Sequence, residues 1–164
     1  MSYQELNQLK KDILWIYDEN LSDIPNAFAP SYSFGLKYWQ YLTLSGDDWL
    51  HLREDHEFYT IGILTVLLCL CVEYTDTIGG DRDVFNREDL LIAMKFIENH
   101  DPNNLLEIQL KEKVLLGLTI GAEMTTEQLQ NPDYEHPRLG EFYDGLQELG
   151  THAILPYFKS KADG

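Results

Sequence analysis

Apolar residues recur at intervals of three and four along most of this chain, and Pro, Gly, Asn and Asp cluster between the runs. Ser2 and Glu5 form a capping box ahead of Leu6, Leu9, Ile13 and Ile16, which predicts a helix over about 3–20. Residues 21–35 have loop composition, with Pro25, Pro30 and Gly35, and 36–42 resume as a short helix. The acidic pair Asp47 and Asp48 then opens the longest helix, which Trp49, Leu52, His56, Tyr59, Ile63, Val66 and Leu70 carry to about Tyr74. Its first half is amphipathic. Its second half, about 58–74, is apolar on every side, which predicts a central helix enclosed by its neighbours, with Gly62, Thr65 and Cys69 small enough for a close crossing.

The pattern continues to the C-terminal end. A turn at 77–81 is followed by a helix capped at or near Asn86, with Leu90, Ala93, Met94 and Ile97 as its buried stripe, stopped by Asn99 and Pro102. The next helix is expected from Asn103 to about Met124, with Leu105, Ile108, Leu115 and Leu118 on its inner face and Gly117 and Gly121 as tight packing points. Thr125 to Gln128 reads as one further turn, broken at Asn131 and Pro132. After Pro137 a last helix shows Leu139, Phe142, Leu146, Leu149 and Ala153; Pro156 ends or kinks it, and the tail 159–164 is expected to fray. No stretch of four to eight residues alternates apolar and polar side chains, and no internal repeat occurs. The expectation is an all-α fold, a single domain over 1–164 built as an irregular bundle of six or seven helices around the apolar helix at about 58–74.

Charge changes this picture more than composition does. Twelve Lys and Arg face 28 Asp and Glu, a net charge of −16. Affinity for a phosphate backbone comes from Lys and Arg displacing counterions, so direct nucleic-acid binding is not expected, and an anionic membrane surface is disfavoured by the same sign. The uncharged run from Phe58 to Val72 is too short to span a bilayer. No leader pattern opens the sequence, which makes a cytoplasmic location the expectation.

The acid is unevenly compensated. Residues 38–81 hold eight acids against Arg53 alone, and 114–158 hold seven against Arg138 alone. On the last helix Glu141, Asp144 and Glu148 fall at i, i+3 and i+7, a largely unpaired row with His152 four residues beyond. On the long helix Asp47, Glu54 and Glu57, at i, i+7 and i+10, line up in the same way, with Asp48 and Asp55 on an adjacent row. Like charges at these spacings stabilise nothing, so they serve either solubility or a docking surface for a basic partner. Phe28, Tyr32, Phe34, Tyr38, Trp39 and Tyr41 crowd the preceding segment; most such rings fill cores, while Tyr38 and Trp39 are the candidate anchors of a mixed aromatic and acidic patch.

Signals for chemistry are weak. His51, Glu54, Asp55, His56 and Glu57 form the candidate metal set, yet neither the His-Glu-x-x-His nor the paired Glu-x-x-His spacing is present, and no cofactor is expected. Convergence of ligands from His56, His100, His136 and His152 has no support in spacing. Cys69 and Cys71, at i and i+2 of an apolar helix, read as core. No nucleophile elbow or phosphate loop occurs. The function expected is therefore an acidic protein-binding module that neutralises or escorts a basic protein, in the form of a bacterial immunity protein covering a cationic toxin or nuclease domain. The alternatives are a DNA mimic that inhibits a nucleic-acid-binding protein, and a metal-dependent helical enzyme using residues 51–57.

Overall fold

Among the described residues every regular element is helical, as the three-and-four spacing predicts. The computed structural model describes residues 56–80, 82, 83, 85–154, 156, 157 and 160. The helices expected at 3–20 and 36–42, the start of the long helix from Asp47, and most of the tail 159–164 lie outside them. In chain order the elements are α1 (His56–Tyr74), α2 (Arg87–Glu98), α3 (Leu105–Glu123), α4 (Thr126–Leu129), α5 (Leu139–Tyr143), α6 (Leu146–Leu149) and a π-helical turn (Gly150–Ile154). None of these helices is long and apolar enough to cross a membrane.

Local chemistry accounts for the boundaries. Asn86 accepts from the Asp89 N–H, and the Asp89 carboxylate accepts from the Asn86 N–H in return, a capping box that starts α2. Thr125 and Gln128 make the same reciprocal pair at α4, and Asn104 accepts from the Glu107 N–H to start α3. Each cap is worth about 1 kcal/mol by pairing otherwise orphaned N–H groups. At the turn after α1 the Asp76 carboxylate accepts from the N–H groups of Ile78 and Gly79, at 2.9 and 3.4 Å.

In the apolar helix α1, Ile61, Gly62, Leu64, Leu67, Leu68, Leu70 and Cys71 are all buried, in agreement with the apolar pattern. Two buried threonines, Thr65 within α1 and Thr75 just after it, donate to the preceding turn, Thr65 to the Ile61 carbonyl at 2.7 Å and Thr75 to the Cys71 carbonyl at 2.8 Å. The element that joins the others, however, is α3, which packs against α1, α2 and α5. The buried face of α2 is Leu90, Ala93 and Ile97, in agreement with the pattern.

The buried face of α3 differs from the predicted one. Leu105 and Ile108 are exposed, and the inward row is Glu107, Leu110, Val114, Gly117, Leu118 and Gly121. A carboxylate can occupy that row because its oxygens are satisfied. His100 Nε2 reaches Glu107 Oε1 at 3.1 Å and Asn104 Nδ2 donates to Oε2 at 3.1 Å. Removing one partner from such a buried pair typically costs about 3–5 kcal/mol. Hydropathy counting places a glutamate outside and so rotates the helix the wrong way.

Gly117 creates the notch in which α5 docks. A Cβ there would lie 2.7 Å from Phe142 Cε2 and 2.8 Å from Cys71 Cβ, with Phe142 wholly buried. Neither neighbour is a flexible chain end, so a methyl group forces α1, α3 and α5 apart. In contrast, a Cβ on Gly140 meets nothing within 4 Å. Chemical denaturation is expected to show Gly117→Ala losing about 1–3 kcal/mol, while Gly140→Ala is neutral or gains up to about 1 kcal/mol. Equal effects at the two positions would show that the notch does not control the docking.

Candidate functional site

Helix α5 ends where the backbone requires it. Asp144 leaves the helix at ψ 125 and Gly145 takes φ +73, a left-handed conformation that side chains with a Cβ rarely adopt. The predicted continuous last helix is therefore two short helices and a π-helical turn. The row Glu141, Asp144 and Glu148 is corrected accordingly: Glu141 lies on α5, Asp144 at its end and Glu148 on α6. The three are nonetheless brought together, because the chain folds back over one face of α3.

That face is the surface row Gln109, Glu112, Lys113 and Leu116. Between it and the segment from Arg138 to Ala153 lies an open groove of about 540 Å³. Leu116, Leu149 and Ala153, all partly buried, supply its apolar lining, and the exposed carboxylates of Glu112, Glu141, Asp144 and Glu148 stand around it with His152. Glu112 and Gln109 were missed by sequence reasoning; the i, i+3, i+7 spacing of Gln109, Glu112 and Leu116 was visible, but the facing segment was not.

The cations near the groove are already engaged. Lys113 Nζ donates to the carbonyl oxygens of Glu141, Phe142 and Asp144 at 2.8, 3.2 and 2.6 Å. An ammonium has three protons and here it meets three acceptors, all at the open end of α5. Arg138 bonds the Glu141 carboxylate through Nε at 3.1 Å and Nη2 at 3.3 Å. Among the described residues no Lys or Arg bridges Glu112, Asp144 or Glu148. The row is thus unpaired at two of its three positions, and the third carries a solvated pair of small energetic weight.

Elsewhere the same use of cations recurs. Arg82 donates to the carbonyls of Tyr74 and Asp76 beyond α1 and to that of Leu129 at the end of α4. Arg87 reaches the Ala122 and Met124 carbonyls at the end of α3, and Lys111 the His100 carbonyl after α2. Helices α1, α3, α4 and α5 have no basic residue in their own last turn, so these distant cations offset the negative ends of their dipoles.

Electrostatics follows from these contacts. The hydrogen bond and charge of Arg138 hold the Glu141 carboxyl below the usual carboxylate range, and Glu141 in turn raises the guanidinium above its ordinary value. The small stabilisation from Glu141 is present above the ordinary carboxylate value and is lost as pH falls through the lowered one. Burial raises the Tyr143 hydroxyl above its ordinary value, opposed by the nearby Thr75 hydroxyl and reinforced by the charges of Asp76 and Glu73.

Of the remaining candidate partner-binding residues only Glu57 is among the described ones, and it does not line the groove. Glu57 is exposed at the start of α1. Tyr38, Trp39, Asp47, Asp48, His51, Glu54 and Asp55 lie outside the described residues. His136 accepts from the Arg138 N–H at Nδ1, which places its own proton on Nε2, 2.8 Å from the Glu123 carboxylate. With His100 held by Glu107, these two rings are engaged separately, and among the described residues no three His, Cys, Asp or Glu side chains group as metal ligands. Glutamate-resolved NMR titration is expected to show the Glu141 carboxyl titrating at higher pH in Arg138→Gln than in the unaltered chain; identical midpoints would mean the pair does not form in solution. Comparison with known proteins finds no matching family model, no matching curated protein and no matching solved structure.

Proposed function

We propose that this protein is an acidic binding module that captures a basic protein through the groove between α3 and the α5–α6 segment, acting as an antidote to a cationic toxin such as a nuclease domain. The observation that carries this reading is the placement of Glu112, Asp144 and Glu148 around an open cleft, with no Lys or Arg among the described residues bridging them. The nearby ammonium of Lys113 serves the end of α5 instead. Carboxylates held in this way cost the fold some repulsion and return no internal contact. Towards a positively charged protein they accelerate encounter and fix orientation, and burial of apolar surface beside them then sets the lifetime of the complex.

Pull-down from native lysate with mass spectrometry is expected to identify one strongly basic protein. With that protein purified, the combined variant E141Q, D144N, E148Q should lower the association rate constant about tenfold at low salt. The difference should shrink as added salt shortens the screening length. An association rate unaffected by the three substitutions would contradict the assignment of this face.

A further inference from the structure

We infer that the groove seats a short amphipathic segment of the basic partner, with an aliphatic anchor on Leu116, Leu149 and Ala153 and Lys or Arg side chains on both sides of that anchor. This rests on the proposal of acid-mediated capture and adds a requirement that acidity alone does not make. A surface that merely attracts cations needs no cavity. Here about 540 Å³ of open space, large enough for several side chains, lies between the carboxylates.

The arrangement of charge selects the occupant. Glu112 and Leu116 stand on α3, and Asp144, Glu148, Leu149 and Ala153 on the facing segment, so each wall carries both carboxylate and apolar lining. A ligand that satisfies both walls must therefore carry positive charge on either side of an apolar centre. A helical turn with Lys or Arg three or four residues to each side of a Leu has that pattern, and its anchor removes the partly buried Leu116 and Leu149 from water. The two cations that line the groove do not compete for Glu112, Asp144 or Glu148: Lys113 meets three carbonyl acceptors, and Arg138 is held by Glu141. Phosphorylated or otherwise acidic ligands meet the wrong sign.

The test uses the full chain and three probes at physiological salt: a helix-forming peptide with Lys and Arg flanking a row of Leu, a peptide of identical composition with the Leu scattered round the helix, and spermine. Calorimetry should show the first peptide binding at least about tenfold more tightly than the second, since only it can bury its anchor in the cleft. NMR shifts should centre on Leu116, Leu149 and Ala153. Gln109→Lys, at an exposed position on the groove edge, should weaken the first peptide severalfold with no change in the thermal melt. Equal affinity for the two peptides, or shifts dispersed away from the cleft, would overturn the anchored segment. Spermine binding as tightly as the first peptide would overturn it too, in favour of a small-polycation site. These failures are distinguishable from failure of acid-mediated capture. If the two peptides bind equally and E112Q, D144N, E148Q weakens both, capture stands and the anchor falls. If neither peptide responds to that variant or to salt, both fall.

Discussion

The carbonyl groups at the ends of the helices govern how charge is distributed over this molecule. Helices α1, α3, α4 and α5 end in carbonyl acceptors with no basic residue in their own last turn, and in an acidic chain few cations are on hand to meet them. Arg82, Arg87, Lys111 and Lys113 all reach across the fold to such carbonyls. Their charge is thereby tied to the backbone, where it offsets helix dipoles, and among the described residues no Lys or Arg bridges Glu112, Asp144 or Glu148. An acidic groove is in this sense a consequence of how the helices are terminated, more than of acid being clustered locally in sequence.

The groove inherits its shape from two further contacts. Phe142 enters the space that Gly117 leaves beside Cys71, which brings α5 against α3. The left-handed turn at Gly145 then redirects the chain so that Glu148 and Leu149 return towards the surface of α3. Upstream, the buried His100–Glu107 contact sets the rotation of α3 about its axis, and that rotation presents Glu112 and Leu116 on the side that faces α5 and α6. Packing, turn geometry and one buried polar pair together place four carboxylates around a partly apolar cleft.

Much of the helical framework is legible in the sequence. Asn86, Asn104 and Thr125 declare their helices because side-chain caps are local interactions, and the burial of α1 follows from the absence of any polar face between 58 and 72. The inner face of α3 is not legible, since placing Glu107 inside depends on His100 and Asn104 meeting it in space. The break at Asp144 and Gly145 is hidden by an apolar stripe that continues in helical register through it. Acidic residues at Glu141, Asp144 and Glu148 are visible as a row, yet their common cleft with Glu112 exists only after α5 has docked. The uses of Lys113 and Arg138 are likewise tertiary, and no spacing rule connects an ammonium on α3 to carbonyls some thirty residues later.

The central claim is that scarce cations hold helix ends rather than neutralise neighbouring carboxylates, and Lys113 is the position at which it can be measured most directly. Lys113→Met keeps the aliphatic stem and removes only the ammonium, while Lys95→Met makes the same change of charge on the exposed side of α2. Denaturant unfolding at low and high salt is expected to show the first variant destabilised by about 2–3 kcal/mol in both conditions, and the second changed by no more than about 1 kcal/mol. Equal, salt-sensitive losses at the two positions would show that both lysines act through general charge balance, and would contradict the account.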